Sequence, residues 1–183
     1  MTSSQTDEQL LAAFRGGDRG AIEALAGRYE RAWLGAALGL VGGRRELARD
    51  AVQETWTRII HFADQFDGRS RFKTWAYRIL INRTRDLLAK TNGQIAATLP
   101  DESSVPDRRS GTLIEARDEQ ECVRRAVSQL SADQRAIVLL CYHSGLTHEE
   151  AAEVLKVPSG TLKSRLHAAL TELREILGPE YQS

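Results

Sequence analysis

THEEAAEVLKVPSGTLKSRLHAALTELREILGP, residues 147–179, decides the fold of this chain. Thr147 and Glu150 have the spacing of a capping box, in which each side chain satisfies a backbone donor at a helix start. A short helix follows through Leu155, and Lys156-Val157-Pro158 forces a turn. A longer helix begins near Ser159 and stops at Gly178-Pro179. Its Leu162, Leu166, Ala169, Leu170, Leu173 and Leu177 share one side. Two helices over 148–155 and 159–177 joined by a tight turn outline a helix-turn-helix, whose second helix enters the DNA major groove. The early polar face of that helix carries Ser159, Gly160, Thr161, Lys163, Ser164, Arg165 and His167, small residues and donors suited to phosphates and base edges. An ordinary helical hairpin with a solvated face has the same outline, and length and polarity alone leave both open.

Immediately upstream, Ser131 and Gln134 form a second capping box, and Ile137, Val138, Leu140 and Cys141 are the apolar stripe of a helix ended by Gly145. Helical periodicity begins near Leu113. Before it, residues 91–112 (TNGQIAATLPDESSVPDRRSGT) lack apolar periodicity and hold two of the four prolines, the composition of a linker. Still earlier, Ile22, Leu25, Ala26, Tyr29, then Leu47, Ala51, Val52, Thr55, Trp56, Ile59, then Phe72, Trp75, Ala76, Ile79, Leu80 recur at helical spacing. Gly16-Gly17 before Asp18, Val41-Gly42-Gly43 and Asp67-Gly68 divide these windows into about four helices. The expectation is an all-α chain of two small helical domains, 8–90 and 113–178, joined by a flexible linker, with the helix-turn-helix in the second.

Charge is balanced overall, with 25 basic and 25 acidic residues in 183, so its distribution matters more than its sum. Phe66–Lys90 carries seven basic residues against two acidic, Asp101–Glu121 seven acidic against three basic, and Lys156–Arg174 four basic against one. Within the first basic block, Phe72, Trp75 and Tyr77 interleave with Arg69, Arg71, Lys73, Arg78 and Arg83, a mixture suited to single-stranded DNA: rings stack on bases and cations hold phosphates. Phe72, Trp75 and Ile79 also have core spacing, so the reading is a divided helix with Phe72 and Trp75 packed inward and a basic face for DNA. On the preceding helix Asp50, Gln53, Glu54 and Arg58 form a polar stripe that a solvated surface explains equally well.

The longest nearly uncharged run, Ala32–Gly43, is about half the ~20 residues of a membrane-spanning helix, and the polar start lacks a signal peptide's order. No membrane insertion and a cytoplasmic location are therefore expected. Cys122 and Cys141 are too few for a disulfide scaffold and read as reduced, half-buried thiols. Cys141, His143 and His148 lack a fourth ligand and match no common zinc spacing, so no metal is expected.

The stretches ARDAVQETW (48–56), FDGRSRFKTWAYRI (66–79) and GTLKSRLH (160–167), in that order, resemble the extracytoplasmic-function sigma factors of bacterial RNA polymerase. The resemblance spans nearly the whole chain outside its first residues and the linker. It implies that the N-terminal domain binds the polymerase clamp and captures the −10 element, and that the C-terminal domain reads the −35 element. By the same resemblance Asp50, Gln53 and Glu54 dock on the largest polymerase subunit, and Arg69, Ser70, Arg71, Lys73 and Asn82 hold the non-template strand. Thr161, Lys163, Ser164, Arg165 and His167 face the −35 duplex.

Many relatives carry arginines at the positions of Ala168, Leu170 and Glu172, and their replacement here implies a weak grip on phosphate and poor DNA binding by the free protein. The implied partners are core RNA polymerase, promoter DNA and an anti-sigma factor, with no catalysis and no cofactor. The alternative is a free-standing helix-turn-helix regulator, which would dimerise on a two-fold site and have no use for a separate basic-aromatic bundle.

Overall fold

Capping residues and glycines set the helix boundaries in the computed structural model, which describes residues 5–97 and 114–178, with side chains over 5–91 and 121–178. Among the described residues the regular elements are all helical. In the first half these are α1 (Asp7–Arg15), α2 (Arg19–Leu40), α3 (Arg45–Phe62) with a 3₁₀ turn at Ala63–Gln65, and α4 (Phe72–Ala97). In the second half they are α5 (Ile114–Gln129), α6 (Ala132–Val138), a π turn at Leu139–His143, α7 (His148–Leu155) and α8 (Ser159–Leu177). The all-α architecture, the four helices before residue 90 and the helix-turn-helix limits agree with the sequence reading.

Both expected capping boxes form: Ser131 and Gln134 at α6, and Thr147 and Glu150 at α7, where the Glu150 amide donates to Thr147 Oγ1 at 3.2 Å. A third box, Thr6 with Gln9, opens α1. Losing an N-cap oxygen leaves a helix-start donor to water alone, so Thr147→Ala should cost about 1 kcal/mol in urea unfolding. Asp18 caps α2 as expected, accepting from the Gly20 amide at 2.9 Å.

An aromatic cluster centred on Trp33, fully enclosed in α2, joins the N-terminal helices. Its ring lies 4.5 Å from that of Trp56 on α3 and 6.3 Å from that of Tyr77 on α4, centroid to centroid. Phe72, Leu80, Ile59 and Leu25 complete the wall. The first turn of α1 is tied to α2 through Asp7, which accepts from Arg28 at 2.6 Å and from the Tyr29 hydroxyl. Burial, reinforced by this carboxylate, pushes the Tyr29 phenol well above its ordinary range.

Three features differ from the sequence reading. First, α4 continues through Ala97, into the segment read as linker; its Gln, Ile and Ala residues favour helix, and a single Gly93 costs only about 1 kcal/mol. The remainder of that segment, 98–112, lies outside the described residues. Second, the helix after Ser131 closes in a π turn, with Ser144 N–H donating to Leu139 O at 2.9 Å; Cys141, at the edge of the stripe, is half-buried as expected of the two thiols. Third, Tyr77 joins Phe72 in the core, and Trp75 is half-buried against Phe66 and Phe72. The π turn pushes one extra residue outward and presents Leu139 and His143 to α2, while α4 lies along α7. The two helical groups therefore pack on each other.

Candidate nucleic-acid interface

The turn between α7 and α8 depends on Lys156, the one non-glycine residue with positive φ (56°) among the described residues. This left-handed position ends α7, and Pro158 starts α8 without a donor to satisfy. The apolar stripe of α8 is enclosed at Leu162, Leu166, Ala169 and Leu173. The opposite side leaves Lys163, Ser164, Arg165 and His167 exposed, with Thr161 half-buried beside them. Ser164 Oγ donates to Thr161 O at 3.0 Å, and Arg165 lies 3.8 Å from Asp133 of α6. The five residues expected to face duplex DNA thus sit together on the first two and a half turns of one helix. That arrangement offers cations and hydroxyls to phosphates and base edges in a major groove.

The departures at Ala168, Leu170 and Glu172 have a local account for two of the three. Leu170 packs against the core, and Glu172 accepts from Gln134 Nε2 at 2.6 Å. Gln134 also closes the α6 capping box, so an arginine in place of Glu172 would meet a donor where this chain has a hydrogen bond. Ala168 is exposed, and nothing in the structure explains it.

On the N-terminal module, Arg69 is exposed and held to Asp67 at 3.1 Å, Ser70 is half-buried, and Arg71 leads into α4. The start of α4 is positioned by Glu8, whose carboxylate accepts from the Phe72 amide at 2.9 Å across the bundle. An open cleft of about 450 Å³ beside it is lined by Thr6, Asp7, Glu8, Arg28, Arg71 and Lys73. Arg71, Arg78, Asn82 and Arg85 recur at spacings of seven, four and three, which places them along one face of α4. Arg78 belongs to the basic-aromatic mixture that the sequence offers for single-stranded DNA; Arg85 lies outside it, although its spacing of seven from Arg78 and three from Asn82 puts it on the same face.

This face is turned toward the C-terminal module. Arg71 lies 3.5 Å from Glu150, Arg78 2.6 Å from Glu153 and Arg85 3.0 Å from Asp133, while Lys73 Nζ donates to Gly145 O at 3.0 Å. Asn82 stays exposed between Arg78 and Arg85. Phe72 is enclosed and Trp75 half-buried, in keeping with the inward packing expected of both, and Tyr77 is enclosed as well, so Tyr77 is the aromatic corrected from base stacking to packing.

On α3, Asp50 and Gln53 are exposed and Glu54 is half-buried, all on the side away from Ala51, Val52, Thr55 and Ile59. Glu54 faces Arg83 at 3.9 Å, and Arg83 makes a closer pair with Asp86 at 2.5 Å. Two exposed acceptor-rich side chains and one partly neutralised carboxylate form a surface fit for a basic protein partner. Cys122 and Cys141 are both unpaired and half-buried, and burial pushes the Cys141 thiol up, away from nucleophilic chemistry. His143 Nε2 lies 3.3 Å from the Ala32 carbonyl, and no group of three or more His, Cys, Asp or Glu side chains among the described residues is placed to hold a metal ion. No described helix is long and apolar enough to cross a membrane.

Comparison with known proteins identifies this geometry. The family "Sigma-70 region 2" matches residues 25–93, and "Sigma-70, region 4" matches residues 120–173. The chain is 31% identical to "ECF RNA polymerase sigma factor SigM" of Mycobacterium tuberculosis, over 95% of this chain and 86% of that one. It is 29% identical to "RNA polymerase sigma-H factor" of Pseudomonas aeruginosa, over 98% and 97%. Among solved structures, CnrH in complex with the cytosolic domain of CnrY is similar with a TM-score of 0.72 and 26% identity, covering 94% of this chain and 97% of that one. RpoE in complex with the anti-sigma factor NepR from Bartonella quintana is similar at 0.70 and 26%, covering 85% and 96%.

Proposed function

The chain belongs to the extracytoplasmic-function family of RNA polymerase sigma factors, and from that premise we propose how its residues share the work of directing promoter-specific initiation. Sigma factors are non-catalytic initiation factors, and the chemistry of transcription stays with the core enzyme. In this reading residues 8–90 bind core polymerase and the −10 element, and residues 113–178 bind the −35 element. Asp50, Gln53 and Glu54 dock on the polymerase. Arg69, Ser70, Arg71, Lys73 and Asn82 hold the opened non-template strand, while Thr161, Lys163, Ser164, Arg165 and His167 read duplex. No cofactor and no catalytic residue of its own take part, and the protein acts in the cytoplasm beside its polymerase. An anti-sigma factor is the proposed negative regulator, as RpoE was solved in complex with the anti-sigma factor NepR.

The observation that carries the division is the opposed character of α8: enclosed leucines on one side, and Lys163, Ser164, Arg165 and His167 exposed on the other. A basic face on α4 in a separate bundle supplies a second contact, and two weak readers tied together gain effective concentration. Run-off transcription of fragmented genomic DNA by core polymerase, with and without the protein, tests the whole reading. New starts sharing two upstream motifs at fixed spacing are expected, and none appearing with active core would overturn it. Replacing Asp50, Gln53 and Glu54 together by alanine should weaken co-elution with core polymerase by at least about tenfold, roughly 1.4 kcal/mol, while leaving the helical content unchanged. Unaltered co-elution would remove these residues from the interface.

A further inference from the structure

We propose that α1 is the mount of the strand-holding loop: Glu8 and Arg15, near its two ends, are positioning residues that fix residues 67–71 for capture of the opened strand. The inference rests on the strand-holding role given above to Arg69, Ser70 and Arg71, and it adds two residues outside the motifs that carried that role.

The need for an anchor arises at the start of α4. Arg71 precedes the helix, and its carbonyl accepts the first intrahelical bond, from Trp75 N–H at 3.1 Å. An arginine side chain offers donors and no acceptor, so Arg71 cannot cap the amides that a first helical turn leaves free. Glu8 supplies the acceptor from another helix: its carboxylate takes the Phe72 N–H at 2.9 Å, 64 positions along the chain. A carboxylate there also complements the helix dipole. Helices α1, α2, α6 and α7 draw this cap from their own preceding residues, Thr6, Asp18, Ser131 and Thr147, whereas α4 receives it from α1.

The other end of the loop is tied by the same helix. Arg15 reaches Phe66 O at 3.5 Å and Asp64 Oδ1 at 3.3 Å. Glu8 and Arg15 are seven residues apart, about two turns, which puts them on one side of α1. Leu11, between them at helical spacing, is enclosed and holds that side against the core. Asp7 in turn fastens α1 to α2 through Arg28 and Tyr29. Within the loop, Gly68 takes a positive φ of 73°, and Asp67 Oδ1 accepts from Arg69 N–H at 3.0 Å, closing a local turn. That turn sets the shape of the loop, and the two anchors set its place over the bundle. A loop already ordered loses less freedom when a strand binds, so its grip on unstacked bases strengthens with no new contact to DNA. Duplex reading by α8 and polymerase docking through α3 do not depend on it. Loss of an anchor should therefore slow opening and leave assembly intact.

The test uses the full chain with core polymerase on the promoter mapped by run-off transcription. Permanganate reactivity of unpaired thymines reads the rate of opening, co-elution reads assembly, and circular dichroism reads helicity. Glu8 and Arg15 are exposed, so truncating either leaves no cavity. Glu8→Ala should slow opening by about fivefold, the worth of one helix cap, with assembly and helicity unchanged. Glu8→Gln keeps an acceptor oxygen and should recover most of the rate. In a chain already carrying Arg69→Ala and Ser70→Ala, Glu8→Ala should slow opening no further, because a residue that acts through the loop is coupled to it. If Glu8→Ala lowers helicity or assembly, Arg15→Ala takes its place, with a loss of about twofold expected for its longer bonds. Wild-type opening by the anchor variant, beside slow opening by the Arg69→Ala, Ser70→Ala chain, overturns the positioning role. A Glu8→Gln chain as slow as Glu8→Ala overturns it too, as does an undiminished loss on top of the loop pair. Wild-type opening by the Arg69→Ala, Ser70→Ala chain withdraws the strand-holding assignment itself, and the positioning role falls with it.

Discussion

Trp33→Ala is expected to lower the unfolding free energy by about 3–5 kcal/mol, the cost of emptying a large aromatic site that the surroundings only partly refill. Trp33 is completely enclosed, and its ring touches helices on both sides through Trp56 and Tyr77, so no single neighbour can move in without losing another contact. Folded domains have only about 5–15 kcal/mol of total stability, so the variant should melt at least ~12 °C lower, read by circular dichroism. Trp33→Phe is the contrasting case. The Trp33 indole N–H is buried without an acceptor, so removing it relieves a desolvation cost while the smaller ring leaves a modest void. These effects oppose each other, and the net change should stay within about 1 kcal/mol. A loss as large as that of the alanine variant would show that ring volume outweighs the unsatisfied donor.

Lys163→Ala and Arg165→Ala should each reduce initiation at the protein's own promoter by about 5- to 150-fold under limiting DNA, the equivalent of ~1–3 kcal/mol per specific or phosphate contact. Both side chains leave the exposed side of α8, opposite Leu162 and Leu166, so their removal spares the core. Quantitative run-off on the mapped promoter and on single-base variants separates two roles. A base contact relaxes preference at one position, whereas a phosphate contact lowers all sequences together and reduces the salt slope by about one unit. Arg165 first has to leave Asp133, a pair at 3.8 Å between half-exposed groups and a small opposing term. Equal transcription from both variants would withdraw the duplex-reading role of this face.

Residue order alone states much of this chain's helical layout. Thr147 with Glu150 and Ser131 with Gln134 state their helix starts within four residues, and Gly178 states a stop, because capping is a local matter of satisfying backbone groups. The exposed set on α8 was equally legible, since a leucine stripe at helical spacing leaves the remaining side chains to water. Composition misjudged the end of α4, where one glycine, one asparagine and one threonine did not outweigh the helix formers around them. Period alone also placed Tyr77 among residues for bases, whereas it packs on Trp33, a residue the apolar windows did not single out.

Residue order therefore decided the helices, their caps and the side of each that faces inward, because backbone hydrogen bonding and periodicity act over a few residues. Tertiary structure alone decided what the basic side of α4 confronts. Arg78 meets Glu153 across 75 positions and Arg85 meets Asp133 across 48. Beside these pairs the π turn meets α2 where Gly35 and Gly39 leave room: a Cβ at Gly35 would lie 2.6 Å from His143 Nε2, and one at Gly39 2.8 Å from Leu139 Cδ1. Coulomb forces and packing depend on distance in space, and separations along the chain carry no record of it.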